Sequence, residues 1–409
     1  MQNLRLFCGI TAIALTAATG CTGMQTNDRE QSKTVASPNA QANCKKSTVE
    51  IPVIQSLTGP AAPFAEANVL AFEIAADEIN AAGGVNGHCL ALGKYDSASD
   101  NTRAAQIAGN VAGSALAVLG PTTSSECRAA LPVFARAKLP AIAVIGESEP
   151  VSDSRPWAFN TLPVADSMVP NGAEALYDRL KPKTAVVIVD KQDISAKGHG
   201  DLLAATFKKR GVQIQRTISL VSDQASFTEL SSIVASEQPE LVILAGLPEQ
   251  TGAIVKTLRQ DKVEAPIALS ANGYTPAFLQ TAGEQADNVW SYVPSDLPSA
   301  ETERAKKFLA EYLSRSNDVN PTPGTEGAYS AMKLLAAALD TSGVLDSKES
   351  LGEKREALRS AIDAESARDV PDLVTGSFQL KDGLRAGDGV MLRIVTGKVE
   401  QVDLEESRG

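Results

Sequence analysis

The chain has 409 residues, 43% of them hydrophobic and 21% charged, which is apolar material enough for two globular cores. With 49 acidic against 38 basic residues the net charge is −11, the wrong balance for a phosphate-binding surface, so nucleic acid is excluded as an expected partner. Two His and no Cys pair at CxxC spacing leave no zinc motif, and no metal is expected.

Residues 1–20 carry one charge, Arg5, then an apolar stretch from Leu6 to about Ala18, then Thr19-Gly20-Cys21. A basic start, an apolar run too short to span a bilayer and small residues before a cleavage point read as a signal peptide. Cleavage before Cys21 resembles bacterial lipoprotein processing and makes Cys21 the lipid attachment point. Ala18 stands where such signals usually carry Leu, and the alternative is an ordinary secretory signal in which Cys21 is incidental. Residues 22–43 nearly lack large apolar side chains, so 21–46 is expected to be a flexible tether. No later segment reaches about 18 consecutive apolar residues. The folded part is therefore expected outside the cytoplasm, held to the membrane through the N-terminal lipid.

In that compartment a disulfide can persist. Cys44 precedes the first predicted strand and Cys89 begins the second. If these strands are parallel neighbours, both thiols lie at one sheet edge, so Cys44–Cys89 is expected, with Cys127 free. Three unpaired cysteines are the alternative.

From Val49 to Ile54 the chain is β-branched and alternating. Thr58-Gly59-Pro60 then turns into a helix with Val69, Phe72, Ala76 and Ile79 on one face, stopped at Gly83-Gly84. Strands follow at 89–95, 115–119 and 140–145, with helices at 101–113 and 125–137. The pattern restarts after Pro163: helix 167–180, strand 185–189, helix 198–210, strand 212–219, helix 226–236, strand 241–244, helix 248–260 and strand 265–269. Helices near 301–315, 325–341 and 350–363 precede a β-rich end with strands at 378–380 and 390–395. Apolar strands alternating with amphipathic helices predict α/β architecture with parallel sheets covered on both faces. Two successive units of similar size predict two lobes.

No GxxxxGK[ST], HExxH or GxSxG motif occurs, so no cofactor and no enzyme activity are expected. His88 falls in a turn and His199 near a predicted helix start, placements typical of solvated or capping residues. Asp96, Ser97, Ser99 and Asp100 form a polar strand end, equally readable as a solvated loop or a site. Gly120-Pro121-Thr122-Thr123-Ser124-Ser125 follows a strand and opens a helix, where hydroxyls and N–H groups suit an anion. Simple N-capping by Ser124 or Ser125 accounts for it equally well.

Several segments together resemble the leucine/isoleucine/valine-binding family of type I periplasmic binding proteins, which serve ABC importers. They are Ser56-Leu57-Thr58-Gly59-Pro60, the run Ala76-Asp77-Glu78-Ile79-Asn80-Ala81-Ala82-Gly83-Gly84-Val85-Asn86-Gly87, Leu119-Gly120-Pro121 with Ser124, Ala137-Lys138-Leu139-Pro140, Tyr329 to Ala336, and Val374-Thr375-Gly376 with Phe378. The resemblance spans roughly 48–403. It implies two Rossmann-like lobes in a Venus-flytrap arrangement, joined by a hinge of three crossings near 158–166, 288–297 and 368–378. Residues 47–162 with 293–370 would form one lobe, and 163–292 with 371–409 the other. A small-molecule solute would bind between them, and the closed form, a monomer, would dock on ABC permease subunits. A ligand-sensing subunit of a signalling system is the alternative with the same fold, and a secreted enzyme using the cleft a third class.

Carried over residue by residue, the resemblance implies ligand contacts at Phe64 (an aromatic against the ligand side chain), Ser124 with Ser125 (the carboxylate serine), and Gly146, Glu147 and Ser148 (carbonyl and hydroxyl contacts). In the second lobe it implies Lys197 in place of a tyrosine, Leu247 in place of an aromatic, and Asn272 in place of the acid that pairs with a ligand ammonium. Asn272 offers only a neutral carbonyl. Glu147 could then supply the missing charge, or the ligand could lack an α-amine, with Lys197 as a second anion contact.

Overall fold

Two seven-stranded sheets organise the chain, in a computed structural model that describes residues 33–35, 43–220 and 226–403. The signal at 1–20, Cys21 and most of the tether lie outside the described residues.

In chain order the first lobe contains β1 (Lys33–Val35), β2 (Val49–Gln55), α1 (Ala62–Ala81), β3 (Leu90–Asp96), α2 (Asn101–Val111), β4 (Val118–Leu119), α3 (Ser124–Arg136), β5 (Ala141–Ala143), α4 (Glu149–Ser152) and β6 (Ala158–Pro163). The second contains α5 (Ala165–Leu180), β7 (Thr184–Asp190), α6 (Ile194–Lys209), β8 (Gln213–Leu220), α7 (Thr228–Glu237), β9 (Leu241–Ala245), α8 (Pro248–Gln260), β10 (Ile267–Leu269), α9 (Pro276–Ala282) and β11 (Val289–Val293). The chain returns to the first lobe for α10 (Glu303–Arg315), α11 (Thr325–Ser342), α12 (Leu351–Ser366), β12 (Val370–Pro371), β13 (Ser377–Phe378) and β14 (Leu384–Arg385). It ends in the second with β15 (Val390–Val395) and β16 (Lys398–Val402).

The first sheet runs β1-β3-β2-β4-β5-β6-β14, all parallel except β1. The second runs β16-β15-β11-β10-β9-β7-β8, parallel from β11 to β8, with β15 and β16 antiparallel at its edge. Central strands such as β9, buried along its whole length, read as unbroken apolar runs because helices cover both faces of the sheet. In the first lobe α1, α10, α11 and α12 bury one face around Phe72, Phe308 and Leu335, while α2 and α3 bury the other around Leu131 and Phe134. In the second, α5 and α6 cover one face with Met168 and Phe207, and α7, α8 and α9 cover the other with Val234, Leu258 and Phe278.

Three expectations are corrected. Lys33–Val35, assigned to the tether, pairs antiparallel with β3 through backbone bonds that need no apolar side chains. The strand at Leu384–Arg385 pairs with β6, and Leu373 and Leu380 join the first lobe's core, so residues 371–385 belong to the first lobe. The third crossing therefore lies between Arg385 and Val390, not at 368–378. Finally, α6 begins at Ile194 rather than 198, because Asp193 caps it by accepting from the Ala196 amide at 2.7 Å. Cys44 and Cys89 are disulfide-bonded, with Cα atoms 5.5 Å apart, and Cys127 is free and buried.

Candidate functional site

Each sheet changes direction of winding at one point: between β2 and β4 in the first, between β7 and β9 in the second. Loops leaving the carboxyl ends of strands part at such a point and open a crevice. The two crevices face each other across a cleft of about 820 Å³, counting its open mouth. The first lobe contributes Phe64, Asn68, Thr122, Thr123, Ser124 and Gly146; the second, Asp193, Ser195, His199, Leu247, Ala271 and Asn272. Leu162-Pro163, Pro294 and Thr322-Pro323-Gly324 line it from the crossings and the start of α11.

The first-lobe wall is built by a buried polar net. Thr122 Oγ1 accepts from the Ser56 amide at 2.8 Å and donates to Gln55 Oε1 at 2.9 Å. Ser56 Oγ donates to Glu126 at 2.8 Å, and Glu126 completes a capping box with Thr123. Gly120 makes the turn possible: its φ is +100°, and a Cβ there would stand 2.2 Å from the Ile54 carbonyl oxygen. These bonds hold Ser124 at the first turn of α3, where its hydroxyl donates to the Glu147 carboxylate. The polar strand end at Asp96 is a loop fastening: Asp96 accepts from Thr58 Oγ1 at 2.8 Å, and Asp100 caps α2.

On the second-lobe wall, Ser195 and His199 lie one helical turn apart on α6. His199 Nδ1 donates to the Ser195 carbonyl at 2.9 Å and lies 3.7 Å from Glu147 Oε1, so this contact spans the lobes. Burial pushes the Asp193 carboxyl above its ordinary range, and the charges of Glu147 and Asp190 add to the shift, against the Ala196 amide and His199. Glu147 Oε1 and Asn272 Oδ1 are both buried without a hydrogen-bond donor.

Where the crossings meet, Glu326 is 1% exposed. Its carboxylate accepts from Ser295 Oγ at 2.6 Å. Burial pushes the Glu326 carboxyl up to about 7, with the Asp372 charge adding and Arg385 opposing. Asp372 takes Arg385 as its own partner at 3.4 Å, and both are buried.

A family model for periplasmic binding proteins matches residues 48–394. The chain belongs to that family. Within it the type I leucine/isoleucine/valine-binding proteins are its relatives. It is 22% identical over 268 residues to the Leu/Ile/Val/Thr-binding protein of Salmonella typhimurium, covering 63% of this chain and 73% of that one. It is 27% identical over 298 residues to an amino acid binding protein of Pseudomonas aeruginosa, covering 71% and 77%. In fold it resembles the branched-chain amino acid transporter substrate binding protein LivJ of Streptococcus pneumoniae, solved with isoleucine. The TM-score there is 0.77, identity 21%, and the match covers 87% of this chain and 99% of that one. The leucine binding protein LivK of Thermotoga maritima gives a TM-score of 0.76 at 21% identity, covering 87% and 98%. Members of this family are extracytoplasmic solute-binding proteins, not enzymes.

The contacts expected for a periplasmic binding protein of type I fall in different places. Phe64, Ser124, Gly146, Leu247 and Asn272 share the cleft, and Glu147 stands behind Ser124. Ser125 and Ser148 do not reach it; the Ser148 hydroxyl donates to Asp166 at 2.5 Å. Lys197 is corrected: its side chain is 55% exposed and pairs with Asp201 on the outer face of α6. At about 100° per residue, position 197 points away from the face shared by 195 and 199. Asp193 and Ser195 were not expected, His199 was read as a solvated or capping residue, and Thr122 only as part of the 120–125 loop. Starting α6 at Ile194 in the sequence would have put Ser195 and His199 on its inner face.

Proposed function

We propose that this chain is the solute-binding lipoprotein of an ABC importer, capturing a small polar solute, an amino acid or a relative of one, between its lobes. The observation that carries this reading is the cleft itself. Polar groups of both lobes converge on it from the carboxyl ends of strands, so an occupant touches both halves at once and favours the closed state by its differential affinity. Lipid attachment at Cys21 would hold the receptor beside its permease and raise their effective concentration.

Thermal-shift screening of the purified protein against amino acids, amides, amines and carboxylates tests the binding. A ligand at about 100 times its dissociation constant stabilises by about 2.7 kcal/mol, and a flat response across all four classes would refute it. For the anchor, Cys21→Ser should move the protein from the detergent phase to the aqueous phase on Triton X-114 partition. Unchanged partition would remove the lipid.

A further inference from the structure

The carboxyl groups at the cleft are Asp193 on its wall and Glu147 behind Ser124. Glu147 Oε1 and Asn272 Oδ1 are buried acceptors with no donor. His199, its side chain 4% exposed, gives its Nδ1 proton to the Ser195 carbonyl. Asp193 lines the same wall and gives one oxygen to the Ala196 amide. Among the described residues, no Lys or Arg lines the cleft. The Ser124 hydroxyl, which the family resemblance assigns to a ligand carboxylate, already donates to Glu147. A ligand carboxylate placed there would meet the mostly buried Glu147 as a like charge, which is unfavourable.

The geometry points to a ligand with a cationic, N–H-rich head and no free carboxylate: an amine, amidine, guanidine or amino-acid amide. Its donors are received by Asp193 and Asn272 on the second-lobe wall, with the Glu147 charge close behind Ser124 on the first. Glu147 thus takes the place of a ligand carboxylate at Ser124 and turns the pocket from anion-accepting to cation-accepting. The cation lies between carboxyl groups of both lobes, so the charge that selects the ligand also favours closure. This rests on the reading of the cleft as a solute site and narrows it to one chemical class.

Matched probes test it on the full chain by calorimetry and thermal shift: leucinamide against leucine, agmatine against arginine, putrescine against ornithine, with 4-methylpentanoate as the amine-free carboxylate. The carboxylate-free member of at least one pair should bind about tenfold tighter or more than its parent. Glu147→Gln, which keeps an acceptor for Ser124, should weaken that probe about tenfold in a variant that still melts cooperatively. Tighter binding of the parent amino acids or of 4-methylpentanoate, or indifference of the best probe to Glu147→Gln, overturns the inference while leaving the solute-binding reading standing. Silence from every amine, amide, amino acid and carboxylate overturns both.

Discussion

Glu326→Gln should stabilise this protein above neutral pH and do little in acid. The Glu326 carboxyl is fully buried beside Asp372, which already pairs with Arg385, so ionising Glu326 places a second negative charge against the first. Its pKa rises from the ordinary 4.5 to about 7. The folded protein therefore holds this proton over a range in which the unfolded chain has released it. Below about pH 4.5 both states are protonated and the group is neutral in its effect. Between 4.5 and 7 stability falls as pH rises, and above 7 the full cost applies. A shift of that size at 1.36 kcal/mol per unit amounts to about 3 kcal/mol. Glutamine has the shape of the protonated acid and retains an acceptor for Ser295 Oγ, so the variant should lack this slope. Urea denaturation of both proteins at intervals from pH 4.5 to 8.5 gives the difference directly. The variant's advantage should grow with pH and level off just above 7. A constant difference would refute the reasoning. An advantage that shrinks as pH rises would mean that Arg385 holds Glu326 ionised.

Arg355 is 5% exposed and donates to the carbonyls of Ala112, Ala115 and Ala137, tying α12 to the ends of α2 and α3. Arg355→Met leaves those carbonyls without partners and should cost about 2–4 kcal/mol in urea denaturation; a loss under about 1 kcal/mol would mean water replaces the guanidinium. Gly120→Ala forces a Cβ onto the Ile54 carbonyl at positive φ and should cost about 2 kcal/mol or more by differential scanning calorimetry, while a neutral result would show the turn can relax. The disulfide joins residues 45 apart in sequence, and loop closure on that scale contributes about 2–4 kcal/mol. The double variant Cys44→Ser, Cys89→Ser should lose that much in guanidinium titration, and an unchanged midpoint would place the stability elsewhere.

What could be read along the chain was what short-range periodicity encodes. The apolar runs at 185–189 and 241–244 and the amphipathic helices at 248–260 and 325–341 appear within a residue or two of their expected limits, because burial on both faces of a sheet leaves a local record in side-chain type. Strands at crossings were harder. Ala158–Pro163 and Val289–Val293 were read only as connections between lobes, yet each is a strand paired inside its own sheet. The two-residue strand at Leu384–Arg385 carries too short a pattern to reveal its partner, and pairing with β6 placed it in the first lobe.

The site divides in the same way. Phe64, Ser124, Gly146, Leu247 and Asn272 sit at the carboxyl ends of strands or the first turns of the helices that follow, so the order of elements in the sequence already committed them to the crevice. Lys197 failed because its orientation depends on where α6 begins, and a single capping aspartate decides that. Chain order thus determined the two-lobed α/β architecture and the loops that face one another, since those follow from periodicity and turn chemistry within a few residues. Tertiary structure alone decided which charges meet: Glu147 with Ser124 and His199, and Glu326 with Asp372 and Arg385, come from segments tens of residues apart. Electrostatic interaction depends on distance and burial in space, and neither is written in the spacing of residues along a chain.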